Sequence, residues 1–306
     1  MCKRRVFLYL LLAVLCRPDQ ARGQFTDPRA YDNTPVGVSQ LELAYAYAHA
    51  DASIDTALII AGAAFDLNQG TVEYTRYFGF FHRTAWVNAS LPVAGLNGSV
   101  TGTNIHGSLT DVGDSSYELA MLLKGGPALS VKQFADFRPT TTVGVSLSIT
   151  APTGQYDSKK VINLGSDRWS FKPEIGISRP FGSKQKWVID GYASAYFFTD
   201  NTSYHGVEIL RQQPLPGFEG HISYSFTPNL WVSLDTRYSF RGDTLINGTD
   251  RNNPQQNFIL GSEVNVSVNS RTQLVFKFAK AVVHHNGPAY TGFMVEYLYS
   301  WGRGYR

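Results

Sequence analysis

The chain has no cysteine after residue 16 and no long hydrophobic run. Its two cysteines, Cys2 and Cys16, lie near the start of the 306 residues. If the start is removed, disulfide bonds, thiolate catalysis and thiolate metal sites are excluded. No stretch of about 18 consecutive apolar residues occurs, which excludes a helical membrane span. Repeats and low-complexity tracts are also absent, so the remaining length predicts one domain.

The start of the chain has the three parts of a secretory signal. Three basic residues at positions 3–5 precede an apolar run from Val6 to Cys16, and small residues flank Arg22 at 21–23. The apolar run is shorter than the roughly 20 residues of a spanning helix. We therefore expect residues 1–23 to be a cleaved signal peptide. An uncleaved anchor or a buried helix is the alternative, and the bulky Leu15 disfavours a lipoprotein signal.

Most of the positive charge lies in that segment. The whole chain carries +3, and residues 1–23 carry +4 from five basic residues and one acidic residue, which leaves −1 for the rest (3 minus 4). A basic surface for nucleic acid is therefore not expected in the mature chain, and we predict no nucleic-acid partner.

Alternation with a period of two predicts the fold class. Between Trp231 and Arg241, the even positions carry apolar, aromatic or threonine side chains and the odd positions after Trp231 carry polar ones. Such a period places one set of side chains on each face of a strand. Along the chain the pattern predicts about twelve strands, near 36–50, 70–81, 83–92, 113–125, 138–151, 168–180, 186–199, 217–226, 230–241, 256–268, 271–282 and 289–301.

Strand and connection lengths favour a membrane barrel over a soluble β-sandwich. Many predicted strands have about ten residues or more, whereas soluble strands average about five or six. Short joins follow the second, sixth, eighth and tenth strands. Short turns on one rim, long loops on the other and aromatic residues near strand ends are typical of outer-membrane barrels. The long polar connections are 51–69, 93–112, 152–167, 200–216 and 242–255.

Two irregularities accompany this prediction. The joint from Gly126 to Asp136 is long although it lies on the short-turn rim. Arg76 falls among the apolar-phase residues of the second strand, so we expect either a bulge there or an error in the predicted register.

We predict an all-β protein, a transmembrane up-and-down antiparallel β-barrel of about 12 strands over residues 36–302. Residues 24–35 are expected to form a short periplasmic segment before it. The predicted location is the outer membrane of a Gram-negative-type bacterium. The expected partners are membrane lipid, small apolar or aromatic solutes and the outer-membrane assembly machinery.

The middle of the chain resembles a known family. The matching residues are Ala151-Pro152-Thr153-Gly154-Gln155-Tyr156-Asp157, Val161 to Trp169, Pro173, Leu91-Pro92, Gly113-Asp114, Glu219 to Tyr224 and Tyr299-Ser300-Trp301-Gly302. In these residues the chain is similar to the outer-membrane transporter family named after the MetA pathway of phenol degradation. The resemblance implies a barrel that acts in uptake beside degradative pathways for aromatic or apolar compounds. It implies no particular ligand.

The inward-facing side chains are the candidate site. Charges at the lipid midplane cost about 2–4 kcal/mol, so the charges of the polar phase are expected in the lumen. The acids are Glu42, Glu73, Glu118, Glu174, Asp190, Glu219, Asp235, Glu263 and Glu296, and the bases are Lys124, Lys172, Arg237 and Lys277, with His221 beside them. Trp86, Tyr192, Tyr196 and Trp231 are expected to narrow the passage.

This lumen predicts a function in passage. Twelve strands lie between a packed eight-stranded barrel and a water-filled sixteen-stranded porin. We expect small hydrophobic or aromatic molecules to cross the outer membrane here, with a mild preference for cations. A salt-bridged plug that only rigidifies the barrel is the alternative for the charges. The other functions considered are a structural or adhesive barrel acting through its outer loops and a barrel lipase.

Motifs for other chemistry are weak. His221 and Ser223 resemble the spacing in outer-membrane phospholipases, but we expect them to face the lumen rather than lipid. Arg241-Gly242-Asp243 matches an adhesive tripeptide over only three residues. The adjacent His284 and His285 point to opposite faces of a strand. We therefore predict no enzyme, no metal site and no cofactor.

Overall fold

The computed structural model describes residues 26–50, 63–100, 103, 106–160, 162–287, 289–302 and 304. The predicted signal peptide at residues 1–23 lies outside them and stays a prediction. Within these ranges, no helix has the length and apolar character needed to cross a membrane.

The described residues form seventeen strands, one short α-helix and one 3-10 helical turn at Ser183–Gln185. The strands are β1 (Val38–Ala50), β2 (Ala63–Phe80), β3 (Arg83–Val100), β4 (His106–Val112), β5 (Ser116–Lys124), β6 (Thr142–Thr150), β7 (Ser170–Phe181), β8 (Trp187–Phe198), β9 (Asn201–Tyr204), β10 (Glu208–Gln212), β11 (Leu215–Thr227), β12 (Leu230–Arg241), β13 (Thr244–Ile246), β14 (Thr249–Asp250), β15 (Gln255–Ser267), β16 (Thr272–His285) and β17 (Tyr290–Gly302). The helix, α1, spans Val131–Phe134.

Twelve of the described strands close into one antiparallel barrel. The ring runs β1-β2-β3-β5-β6-β7-β8-β11-β12-β15-β16-β17 and returns to β1, while β4 pairs with the far end of β3. In hydrocarbon each unpaired backbone group costs several kcal/mol, so a spanning sheet must have no open edge. The prediction of an all-β barrel of about twelve strands is confirmed.

The two faces of the wall differ in chemistry. Leu234 is 68% exposed on the outside, and Ile175 and Phe276 are also exposed. The chain neighbours of Leu234, which are Ser233 and Asp235, are buried on the inside. The pattern follows the two-residue period of a strand. The outer apolar surface is therefore the surface that faces lipid.

Aromatic rings flank this apolar surface at both ends. Trp301 lies 6.0 Å between ring centroids from both Tyr74 and Tyr299, at the end where β1 begins and β17 finishes. Phe240 stacks with Phe218 and Tyr238 at the other end. The short turns after β2, β7, β11 and β15 lie at the first end, which therefore faces the periplasm. We call the two ends the short-turn end and the long-loop end.

β2 and β3 are longer than the sequence predicts. Each has 18 residues, and they pair without interruption up to Ala63 and Val100. The prediction of loops at 51–69 and 93–112 was therefore wrong for residues 63–69, 93–100 and 106–112. Asn, Gln and Gly interrupt the alternation there, but the inward side chains are apolar and pack in the lumen.

Two charged residues lie in surroundings other than those predicted. β2 keeps an unbroken register at Arg76, so the expected bulge was wrong. Arg76 Nη1 instead donates to Gly37 O (3.0 Å) and Ser39 Oγ (2.9 Å) at the short-turn end. A register shift between Leu122 and Lys124 leaves Lys124 exposed at the end of β5 rather than in the lumen.

The long joint after β5 covers part of the short-turn end. Ser130 and Gln133 cap α1 reciprocally, because each side chain bonds the backbone N–H of the other. Val36 N–H donates to Leu129 O (2.8 Å), and Thr84 N–H donates to Gly126 O (3.0 Å). The joint is long because it holds the chain that enters β1.

Two long connections form a small sheet of their own beyond the barrel. It has the order β14-β13-β10-β9. The tripeptide at 241–243 lies at its base, where Gly242 is buried and its carbonyl oxygen accepts from Gln212 Nε2 (3.1 Å). The tripeptide is therefore held against neighbouring chain and not presented at a loop tip.

We expect Leu234→Arg to prevent assembly of the barrel. A guanidinium on the lipid-facing surface costs about 2–4 kcal/mol near the midplane. Loss of the heat-modifiable band on a gel reports the failure to fold. Leu234→Ile, which keeps the surface apolar, should retain that band. A heat-modifiable Leu234→Arg protein would mean that this face does not meet hydrocarbon.

Candidate functional site in the barrel lumen

The candidate residues lie on the inward face of the wall. One interior cavity of about 910 Å³ contacts most of them. Asp190, His221 and Asp235 are buried behind the cavity surface, with exposed fractions of 3%, 3% and 2%. The candidates that line the cavity are Glu42, Glu73, Trp86, Glu118, Lys172, Glu174, Tyr192, Tyr196, Glu219, Trp231, Arg237, Glu263, Lys277 and Glu296.

Residues 26–37, which we call the N-terminal segment, run inside the barrel. Val36 bridges to Ser130 at the short-turn end, and Asp27 reaches Lys277 in the middle of β16. Residues 24–35 were expected in the periplasm, but residues 26–35 instead occupy the lumen. The reason is chemical, since the charged and aromatic side chains of the segment bond to the charged wall.

Arg29 anchors the segment to β11 and β12. Its Nε donates to Ser223 Oγ (2.8 Å) and its Nη2 to Ser225 Oγ (3.1 Å). The guanidinium carbon lies 4.5 Å from the centroid of the Trp231 ring, which is a cation–π contact. These contacts satisfy both the charge and the planar surface of the guanidinium.

Tyr31 fills the space beside β6, β7 and β8. Its hydroxyl donates to Glu174 Oε1 (3.0 Å) and lies 3.2 Å from Ser146 Oγ. Its ring meets Tyr192 edge-on, with centroids 5.3 Å apart, and lies 6.0 Å from Trp86. With 1% exposure, Tyr31 is the aromatic plug of this part of the lumen.

Lys277 lies between three carboxylates, one from the N-terminal segment and two from the wall. Its Nζ lies 2.5 Å from Asp27 Oδ1, 3.0 Å from Glu296 Oε1 and 3.7 Å from Glu263 Oε2. The side chain of Asp27 is 73% exposed, so this carboxylate also faces the cavity. One ammonium shared among three acids leaves a negative balance here.

Burial shifts the ionisation of the segment. Enclosure within the barrel raises the pKa of Asp32, whose carboxylate contacts the cavity, although Arg29 and the hydrogen bond from Ser178 Oγ (2.9 Å) favour the carboxylate. Burial also raises the pKa of the Tyr31 hydroxyl and lowers the pKa of Arg29. Each shift disfavours the charged form, as a poorly hydrated interior does.

Ion pairs within the wall hold other candidate residues. Lys172 Nζ lies 2.9 Å from Glu174 Oε2, and Arg237 Nε lies 3.6 Å from Glu219 Oε1. Trp86 Nε1 donates to Glu118 Oε1 (2.8 Å). The lumen is therefore charged but extensively paired.

His221 and Ser223 face the interior. His221 Nδ1 lies 2.9 Å from Asp235 Oδ1, and its Nε2 lies 3.7 Å from Glu219 Oε2. Ser223 Oγ accepts from Arg29, so it contacts the N-terminal segment and not lipid. Among the described residues, no group of three His, Cys, Asp or Glu side chains is arranged to hold a metal ion.

Residues 151–169, which we call the inturned loop and of which residue 161 is not described, carry most of the family-like residues. Asp114, between β4 and β5, holds the loop. Its Oδ1 accepts from Gly154 N–H (2.8 Å), and its Oδ2 accepts from Ser166 N–H (2.9 Å) and Oγ (2.5 Å). A Cβ at Gly165 would lie 2.6 Å from Gly154 O, so the two backbones touch because glycine is present. The loop thus brings Leu164 against the wall.

Leu164 belongs to a buried cluster at the long-loop end of the lumen. The cluster, called here the apolar cluster, consists of Ala44, Ala46, Ala48, Ala50, Phe65, Leu67, Ala94, Leu96, Leu164, Ile259, Ala279, Ala281, Tyr290 and Met294. Leu109 and Ile162 pack against it. The lumen is therefore apolar on this side of the long-loop end and charged elsewhere.

The alternation pattern does not place the N-terminal segment or Leu164 in the lumen. Asp27, Arg29, Tyr31 and Asp32 stand close together before the first strand. The high density of charged and aromatic residues there was the signal in the sequence that this segment contacts the barrel, since a segment that only lies in the periplasm does not require such residues. Leu164 has no such signal, because one leucine in a polar loop is common.

A closed twelve-strand barrel with an apolar belt, aromatic girdles and a charged interior defines the class of outer-membrane β-barrels. Within that class the chain belongs to the family described as "Putative MetA-pathway of phenol degradation", whose model matches residues 44–297. The resemblance seen in the sequence is confirmed.

Solved structures share the fold. The COG4313 outer membrane channel from Pseudomonas putida F1 aligns with a TM-score of 0.77 and 20% identity, over 90% of this chain and 100% of that one. The β domain of the Bordetella autotransporter BrkA aligns with a TM-score of 0.52 and 9% identity, over 87% of this chain and 100% of that one. The transport unit of the autotransporter AIDA-I from Escherichia coli aligns with a TM-score of 0.52 and 8% identity, over 90% of this chain and 93% of that one. No curated protein matches the chain.

We expect Gly176→Val to expel the N-terminal segment while the barrel still folds. A Cβ at Gly176 would overlap the Tyr31 ring. Trypsin cleavage after Arg29, followed by mass spectrometry of the folded protein, should become faster than in the parent. Gly191→Val is the matched control, since a Cβ there only contacts Ile177 at 3.8 Å. Equal resistance of the parent and Gly176→Val would mean that Tyr31 does not hold the segment.

Proposed function

We propose that this barrel is a channel that passes small hydrophobic or aromatic molecules across the outer membrane. The observation that carries the proposal is the interior cavity of about 910 Å³. Its lining includes Ser300 near the short-turn end and Thr150 and Phe198 towards the long-loop end. A cavity of this extent beside the N-terminal segment provides a route along the wall.

The aromatic lining suits such solutes. Trp86, Tyr192, Tyr196 and Trp231 border the cavity together with Tyr31. Aromatic faces offer stacking surface at separations of about 4.5–7 Å between ring centroids. A solute with little polar surface loses little hydration on entering such a narrow space. The inward candidate residues are thus proposed to form the passage.

The proposal is tested by uptake in cells that carry or lack the protein. We expect benzyl alcohol to enter faster with the protein, and arabinose to enter at the same rate with and without it. Trp231→Ala removes aromatic surface from the passage and should reduce benzyl alcohol uptake. Equal benzyl alcohol uptake with and without the protein would contradict the proposal.

The charge of the cavity favours cations over anions. Of the described residues, nine acids line it, which are Asp27, Asp32, Glu42, Glu73, Glu118, Glu174, Glu219, Glu263 and Glu296. Four bases oppose them, which are Arg29, Lys172, Arg237 and Lys277. A low-dielectric wall concentrates the field of the excess charge on whatever ion enters.

We expect a small conductance with a mild cation preference in planar bilayers. The reversal potential in a salt gradient measures the preference, which should weaken near molar salt because screening then acts over about 3 Å. Glu42→Gln with Glu73→Gln should reduce the preference. Asp250→Asn, in β14 outside the lumen, should leave it unchanged. Anion selectivity would mean that the acids are neutralised.

A second candidate function is a structural barrel with a sealed lumen. The N-terminal segment favours it, because Arg29, Tyr31 and Asp27 bond to the wall and fill part of the interior. Absence of both conductance and solute uptake in a folded protein would support this function over the channel. For either function, we expect insertion to need the outer-membrane assembly machinery.

A further inference from the structure

The apolar cluster separates the lumen into two regions of different chemistry. Seven of its fourteen members are alanines from β1, β3 and β16, so the wall there is smooth and shallow. Elsewhere the inward positions mix glutamate, lysine, arginine, serine and threonine with aromatic side chains. A lumen that only conducted ions would gain nothing from an apolar wall at its long-loop end. An apolar wall does favour solutes with apolar surface, since their transfer from water is favourable.

Leu164 covers this wall without being part of it. It is the only described member of the apolar cluster that comes from a loop, and it is 3% exposed. The polar bonds of the inturned loop are made by other residues, such as Gly154 and Ser166 with Asp114 and Thr153 with Ser115. The side chain of Leu164 is thus held by apolar contact alone, and any apolar group of similar size makes an equivalent contact.

The position of the loop connects this wall to the cavity. The inturned loop begins directly after Thr150 and ends directly before Ser170, and both residues line the cavity. Movement of the loop away from the wall therefore exposes the apolar cluster next to the proposed route.

We propose that the strand residues of the apolar cluster form a binding site for the apolar part of a solute arriving from the long-loop end. In the absence of solute, the side chain of Leu164 occupies this site. The ligand class is a neutral aromatic or branched aliphatic group about as large as a leucine or benzyl side chain. Binding replaces Leu164 and moves the inturned loop off the wall. The inference rests on the proposed channel function and adds its outer binding site.

Thiol labelling of Leu164→Cys tests the displacement. The chain has no cysteine beyond residue 16, so in the mature protein the new thiol is unique. A membrane-impermeant maleimide is added to the full-length protein in cells or proteoliposomes, with benzyl alcohol or with glycerol. We expect benzyl alcohol to raise the labelling rate about tenfold, as a population shift between covered and displaced loop would do, and glycerol to leave it unchanged.

Lys159→Cys, at an exposed position of the same loop, is the control, because the hydrogen bond of Lys159 to Asp157 is made by its backbone N–H; its labelling should not respond to either solute. Ile162→Cys repeats the test if Leu164→Cys fails to show heat-modifiable mobility, because Ile162 packs against the same cluster. An unchanged rate with benzyl alcohol, or an equal rise with glycerol, would overturn the inference.

The outcome is separable from that of the proposed channel. Protein-dependent benzyl alcohol uptake without a change in labelling would reject only the outer site. A solute-dependent rise in labelling without uptake would support the outer site and reject the channel.

Discussion

Charged groups inside a narrow barrel need partners, because an unpaired charge in a poorly hydrated space is costly and its removal from a pair costs about 3–5 kcal/mol. The wall of this barrel carries acids and bases on many strands, and some of them pair within a strand, as Lys172 with Glu174, or across strands, as Arg237 with Glu219. The N-terminal segment supplies further partners, since Asp27 pairs with Lys277 and the backbone N–H of Arg29 donates to Asp190. The position of that segment therefore depends on the wall charges, and the route left for solutes depends on the segment.

The fold was predictable because a lipid-facing strand has a simple rule. Side chains alternate between lipid and lumen, so Leu234 and Asp235 could be assigned to opposite faces from their positions alone. The inward position of the candidate residues followed from the same rule. The alternation rule failed for Lys124. A register shift after Leu122 changes which face the next side chains occupy, and no residue type in the sequence marks that shift.

The contents of the lumen were not predictable in the same way. Period and composition describe strands, but the N-terminal segment and the inturned loop have no regular period. Their positions depend on contacts between residues far apart in the chain, such as Tyr31 with Glu174 and Ser166 with Asp114. The family-like residues at 151–169 are explained only by the fold, since Gly154 and Gly165 allow the close backbone contact that places Leu164.

The partners of the N-terminal segment imply an order of assembly. Asp27 bonds to Lys277, which lies 250 residues later, and Tyr31 bonds to strands from the middle of the chain. This docking surface is complete only after β16 has joined the ring, so docking of the segment ends only then. The nascent barrel is consequently a hollow, hydrated cylinder whose acids are solvated by water. Maturation then ends with dehydration of that interior as the leading residues thread into it.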